Sequence, residues 1–194
     1  DTLHVVGHPH GRIVAPGTAY DAKGLLKAAI RDEDPVIFLE HKFLYRRIKE
    51  DLPSSDFLVE IGKANVRRTG SDITIITYGA MLYVADEAAA ALESEGVRVA
   101  LLALRSLLPF DEDAILASVQ KTNRALILHE ASLTGGVGGE FAATIAEKAF
   151  EYLDAPIKRV AGMNSPVPYS PPLESFYLPR KDRVLSAARE ILKY

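Results

Sequence analysis

The chain has 194 residues, 48% of them hydrophobic and 25% charged, ordinary figures for one globular domain or one domain plus part of another. A formal charge of −3 argues against a nucleic-acid surface, which carries a basic excess, and the lack of cysteine excludes disulfides, thiolate nucleophiles and zinc–thiolate centres while suiting a reducing cytoplasm. No apolar run approaches the ~18 residues of a membrane helix, and no signal-peptide pattern is visible, so no membrane partner is expected.

In chain order, residues 1–11 (DTLHVVGHPHG) show no period. A short strand is predicted over Arg12 to Ala15, closed by Pro16-Gly17. Thr18 or Asp21 can cap a helix to about Arg31, with Leu25, Ala28 and Ala29 on its inner side. Asp32-Glu33-Asp34-Pro35 stops that helix, and Val36 to Leu39 read as a buried strand. One helix on two strands cannot cover both faces of a sheet. Residues 1–45 therefore read as the tail of a larger domain, whose bare faces need a partner or must fold onto the remainder. Residues 46–57 read as a solvated linker, the basic run Arg46-Arg47-Ile48-Lys49 answered by Glu50-Asp51.

A complete pattern begins near residue 71. Ile73 to Tyr78 form a strand closed by Gly79; Leu82 to Glu95 form a helix with Leu82, Ala85, Ala89 and Leu92 inward, and Gly96 supplies its left-handed end. Val97 to Leu104 are the next strand, Asp111 caps a helix carrying Ile115 and Val119, and Arg124 to Leu128 are a third strand. Gly138 to Leu153 are predicted helical, Ile157 to Ala161 a last strand, and 162–172, with four prolines, an extended loop. A final helix, capped by Asp182, aligns Val184, Leu185, Ala188, Ile191 and Leu192. Apolar strands alternating with helices make this an α/β unit on a parallel sheet.

Several residue groups could carry chemistry. Thr134 to Glu140 (TGGVGGE) stand between a strand and a helix, where a phosphate could rest on free N–H groups. The spacing matches neither G-x-G-x-x-G nor a phosphate loop, which favours a tight turn with close backbone packing. His129-Glu130 end a strand on the edge where parallel sheets do chemistry, yet strand neighbours point to opposite faces, so a structural pair is favoured over a general acid–base. His4, His8 and His10 could gather a metal but have no carboxylate or thiol in their segment. Asp32 and Asp34 could coordinate a hard cation, with solvated helix-end carboxylates as the simpler reading. Nothing supports a Ser/His/Asp constellation.

The wording of residues 104–179, from LRSLLPFDEDAILA through RALILHEASLTGGVGGEFA to SPVPYSPPLESFYLP, closely resembles the beta subunit of thiamine diphosphate-dependent 2-oxoacid dehydrogenases, the first component of the pyruvate and branched-chain complexes. Upstream, VAPGTAYDAKGLLKAAIRDEDPVIFLEHKFLYR resembles the end of that family's pyrimidine-binding domain, so the likeness spans about residues 12–194. It implies a three-layer α/β/α domain over 58–194 with a mixed five-stranded sheet, of transketolase C-terminal type, after a β-α-β remnant over 1–45.

The same resemblance implies oxidative decarboxylation of a 2-oxo acid with acyl transfer to lipoate, thiamine diphosphate and magnesium in the parent enzyme, and an alpha subunit and lipoyl acyltransferase core as partners in a homo- or hetero-oligomer. The family's thiamine-activating glutamate and substrate-assisting histidine find no counterpart among these residues. This chain alone is thus expected to be catalytically incomplete, with no catalytic or cofactor-binding residue assigned and no histidine role transferred to His4, His8 or His10. A family turn for a monovalent cation, usually potassium, maps onto Ala29 (through its carbonyl), Asp32 and Asp34. SPPLESFYLP and the Tyr194 ending lean toward the branched-chain type. The family's location would be cytoplasmic, or the mitochondrial matrix in a eukaryote. Two further readings remain open: a non-catalytic assembly module, and a small flavodoxin-like nucleotide binder resting on the glycine turn.

Overall fold

The structure, a computed structural model, describes residues 11–194; the three histidines at positions 4, 8 and 10 lie outside the described residues. The chain runs β1 (Arg12–Val14), α1 (Ala19–Arg31), β2 (Val36–Phe38), β3 (Asn65–Arg68), β4 (Ile73–Tyr78), α2 (Met81–Ser94), β5 (Val99–Leu104), β6 (Ser106–Leu108), α3 (Glu112–Thr122), β7 (Ala125–Ser132), α4 (Gly138–Lys148), β8 (Lys158–Gly162), α5 (Pro171–Tyr177) and α6 (Lys181–Ile191), with 3-10 turns at Lys42–Arg46 and Phe150–Tyr152.

A five-stranded sheet of order β3-β5-β4-β7-β8 forms the core. β4 pairs in parallel with β5 and β7, and β7 with β8, while β3 is antiparallel to β5. This is the mixed five-stranded sheet that the resemblance implies. β3 has the sequence NVRR and only the edge of the sheet to occupy, so no apolar run announces it. Its arginines instead reach back to α2: Arg68 Nε donates to Asp86 at 3.0 Å and its Nη1 to Glu93 at 2.6 Å. Charges on an edge strand also discourage pairing with another chain.

Alternation along β4 builds the two cores. Ile73 and Ile75 face α2 and α6 together with Leu101, Leu126 and Val160. Ile76 faces the other way, with Leu102, Ile127 and the α3–α4 residues Ile115, Val119, Phe141 and Ile145. Thr74 would be an unsatisfied polar group on that face, but its hydroxyl lies 2.7 Å from Thr122 Oγ1 and 2.8 Å from Ser118 Oγ on α3.

The N-terminal β-α-β piece does not stand apart. β1 pairs in parallel with β2 on one side and antiparallel with β6 on the other, giving a second sheet of order β2-β1-β6. One face of it joins the α3–α4 core through Ile13, Ala15 and Leu107. The other is covered by Leu25 of α1 and by Val59, Phe57 and Ile61 of the following segment. Of the two outcomes expected for its bare faces, folding onto the remainder is the one observed.

Other expectations need adjustment. Val36–Phe38 is half-buried rather than buried, because β2 is the sheet's outer strand. Thr18 is the cap of α1, its hydroxyl accepting from Asp21 N–H at 3.0 Å, and Leu25 is buried whereas Ala28 and Ala29 are only half so. α4 ends at Lys148, five residues early. α5 rises from the expected loop because Pro171 and Pro172 fill the first helical positions, where no N–H is needed. Arg180, not Asp182, caps α6, and Asp182 sits in its first turn paired with Arg180.

Candidate functional site

Carboxyl ends of parallel strands gather on one edge, where loops are free to carry side chains. β4 ends there at Tyr78-Gly79, β7 at Glu130 to Ser132, and β1 and β2 end on the same side at Ala15 and at Leu39 to His41. Between them lies a cleft of about 400 Å³, walled on the far side by Tyr177 and Leu178. A groove of about 590 Å³ adjoins it, mostly apolar, between the 3-10 turn at 42–46, the start of α2 and Pro179.

His41 and Glu130 meet across this edge, with Nε2 of the imidazole 2.8 Å from Oε2 of the carboxylate. The hydrogen bond to Glu130 raises the His41 pKa above its ordinary value, partial burial works against it, and the carboxylate's charge adds to the rise. Tyr78 lines the cleft with its phenol pushed up to about 12, mainly by burial and then by the Glu130 charge, so it keeps its proton.

His129, the other half of the predicted pair, points away from Glu130. It is fully buried and lies parallel to the Tyr78 ring at 6.4 Å between centroids. Among the described residues, neither ring nitrogen has a hydrogen bond of good geometry, the Ala131 backbone offering only a poorly aligned one. Burial is the main cause that lowers its pKa; the Arg159 charge acts in the same direction, and the Ala131 backbone opposes both. The two neighbours thus do not cooperate, as strand geometry requires.

The glycine turn covers this imidazole. A β-carbon on Gly138 would stand 2.4 Å from His129 Nε2, and one on Gly136 would stand 2.7 Å from Cε1 and 2.5 Å from the Ser132 carbonyl. Gly135 has φ +77°, open to glycine and strained for other residues. Close packing over His129 therefore accounts for the glycines.

Asp32 and Asp34 are brought together, but around an arginine, with the Ala29 carbonyl turned to the Asp32 N–H. Arg12 Nε is 3.2 Å from Asp32 and its Nη2 3.2 Å from Asp34. Asp32 also accepts the Asp34 N–H at 3.0 Å, and the Ala29 carbonyl accepts the Asp32 N–H at 3.4 Å. Among the described residues, no group of three or more His, Asp or Glu side chains is placed to hold a metal ion.

The sequence reading passed over His41. It stands at the carboxyl end of its strand as Glu130 does at the end of β7, and that shared edge position was the available signal. Chemically, the edge offers a proton-holding imidazole–carboxylate pair and a neutral phenol beside a half-open cleft.

A mixed sheet of this order, flanked by helix pairs, defines a transketolase-type C-terminal domain. The family model described as "Transketolase, C-terminal domain" matches residues 62–184, and the chain belongs to that family. The 2-oxoisovalerate dehydrogenase subunit beta of Bacillus subtilis is 46% identical over 187 residues, which is 96% of this chain and 57% of that protein. The pyruvate dehydrogenase E1 component subunit beta of the same organism is 44% identical over 190 residues, 98% of this chain and 58% of that protein. A mitochondrial 2-oxoisovalerate dehydrogenase subunit beta of Arabidopsis thaliana is 44% identical over 96% of this chain and 51% of its own length. The chain thus spans about half the length of the curated relatives it matches. Among solved structures, a split-gene transketolase in an inactive beta4 tetramer superposes with a TM-score of 0.79 at 26% identity, covering 96% of this chain and 59% of that one. A transketolase of Pichia stipitis, at 14% identity and a TM-score of 0.65 over 99% of this chain and 26% of its own, shares the fold.

Proposed function

We propose that the chain is the C-terminal portion of the beta subunit of a 2-oxoacid dehydrogenase first component, an enzyme that oxidatively decarboxylates a 2-oxo acid and passes the acyl group to lipoate. The observation that carries this reading is the 44–46% identity to named beta subunits across nearly the whole chain. On this reading residues 1–45 are the remainder of a pyrimidine-binding domain, 46–57 a linker and 58–194 the transketolase-type domain. Thiamine diphosphate and magnesium bind elsewhere in the assembled enzyme, the alpha subunit and the acyltransferase core are the partners, and the compartment is the cytoplasm or mitochondrial matrix. No helix among the described residues is long and apolar enough to cross a membrane.

The test joins this chain, as part of its full-length subunit, to the cognate alpha subunit and measures decarboxylation of 2-oxoisovalerate and of pyruvate with thiamine diphosphate and magnesium. Turnover is expected, with kcat/KM higher for the branched substrate; no turnover of any 2-oxo acid overturns the reading. Calorimetry on the 194-residue chain alone is expected to show no tight thiamine diphosphate binding. A purely structural assembly role is favoured by one observation: Val167, Tyr169, Leu173 and Phe176 are exposed along a single stretch, Tyr169 fully so. Sedimentation that finds a strict monomer, with no alpha-subunit binding, counts against it.

A further inference from the structure

We propose that His41 and Glu130 form a proton-operated latch across the seam between the small sheet and the five-stranded sheet, holding the cleft apart from the groove. The proposal goes beyond the dehydrogenase reading and does not depend on it.

The placement carries the argument. His41 leaves the end of β2 and Glu130 stands in β7, 89 residues further on, so their contact joins the two sheets. Both side chains line both cavities. Ala80, Glu174 and Leu178 also line both, so parting the pair widens the passage between the two cavities. Among the described residues, ties across the seam such as Ala15 N–H to the Arg105 carbonyl at 2.9 Å, Tyr83 hydroxyl to the Gly17 carbonyl at 2.9 Å and Arg105 to Asp21 at 3.3 Å involve no imidazole.

The charged surroundings favour a protonated ring. Glu130 meets it from β7 and is the carboxylate that raises its pKa, while Glu174 of α5 and Glu87 of α2 line the same groove. The cations nearby are engaged elsewhere: Arg47, in its own segment, lies over the Phe43 ring at 3.8 Å, and Arg180 pairs with Asp182 at 3.1 Å. Glu40 interacts with Tyr45, and the Tyr78 phenol stays neutral. The latched imidazole holds its proton more tightly than a free one, so the ion pair is fully formed below the ordinary histidine value of 6.5 and is lost as pH rises through the higher latched value. Acid closes the latch and mild alkali loosens it.

Two measurements on the full 194-residue chain test this. NMR titration of the His41 ring is expected to give a pKa above 6.5, returning to or below 6.5 in Glu130→Gln. Hydrogen exchange at residues 39–46, corrected for its intrinsic pH dependence, is expected to accelerate between about pH 6 and pH 9, by about tenfold for each unit that separates the latched and free values. In His41→Gln, which keeps a donor but cannot titrate, that acceleration is expected to vanish while the fold and circular dichroism persist. A wild-type His41 that titrates at or below 6.5, or an exchange profile unchanged by either variant, overturns the proposal.

Discussion

Arg105 reaches from the β5–β6 bend to Asp21 in α1, its Nη1 3.3 Å from a carboxylate that is 1% exposed. Its other nitrogens donate to the carbonyls of Lys63 at 3.0 Å and Ala64 at 3.2 Å. One guanidinium therefore ties the N-terminal helix, the segment before β3 and the main sheet together. Arg105→Ala leaves Asp21 buried and uncompensated, and is expected to cost about 3 kcal/mol in urea unfolding, with Arg105→Lys recovering only part because it lacks the planar fork. Equal stability of Arg105→Ala and wild type would show that the tie is dispensable.

Gly138→Ala drives a methyl group to 2.4 Å from the buried His129 ring and 3.1 Å from the Ile127 side chain. Such overpacking is expected to destabilise by about 1–3 kcal/mol. The double variant with His129→Ala is expected to be more stable than the sum of the two single changes, since the cavity accepts the methyl group. A strictly additive cycle refutes the packing account of the turn.

His129 sets an acid limit on stability. Its folded pKa lies below the ordinary 6.5 because burial disfavours the charged ring, so below about pH 6.5 the unfolded chain binds a proton that the folded chain resists. Stability is expected to fall from that point with a slope of at most about 1.4 kcal/mol per pH unit. Because His41 acts with opposite sign at higher pH, the measurement belongs in the His41→Gln background, where His129→Leu should flatten the acid limb.

The hydroxyl cluster beneath β4 offers a cleaner hydrogen-bond test. Thr74→Val removes a buried group that touches Ser118 and Thr122 at 2.8 and 2.7 Å, leaving both short of a partner. A loss of about 1–2 kcal/mol in chemical unfolding is expected. Thr74→Val combined with Thr122→Val should restore part of it.

The turn carried over as a potassium site is expected to respond weakly in wild type, because Arg12 already supplies the positive charge between Asp32 and Asp34. Thermal unfolding in potassium chloride and in sodium chloride should therefore nearly coincide, and should separate in Arg12→Leu with potassium the more stabilising. Coincident curves in both proteins exclude cation binding at Ala29, Asp32 and Asp34.

How far the fold could be read from the sequence depended on burial. β4, α2 and β5 emerge within two residues of expectation, and α3 starts at its expected Asp111 cap, because each is packed on the core and so written in apolar period. β3 and β6 emerge from no such pattern. One is a charged edge strand, and the other is three residues whose strand character comes wholly from pairing with β1. At the site, the divergence of His129 from Glu130 followed from strand alternation, but the partner of Glu130 lay 89 residues away and was marked only by its place after a strand's carboxyl end.

By itself, then, the sequence determined the α/β class, the family resemblance, the cores and the glycine requirement of the 134–140 turn, all properties of short stretches whose period or spacing is local. Only the tertiary structure decided that the N-terminal β-α-β piece joins the domain through β6, that Arg12 lies between the two aspartates, and that His41 meets Glu130. Those contacts depend on how distant segments close in space, and hydrogen bonds and ion pairs between them leave no periodic trace along the chain.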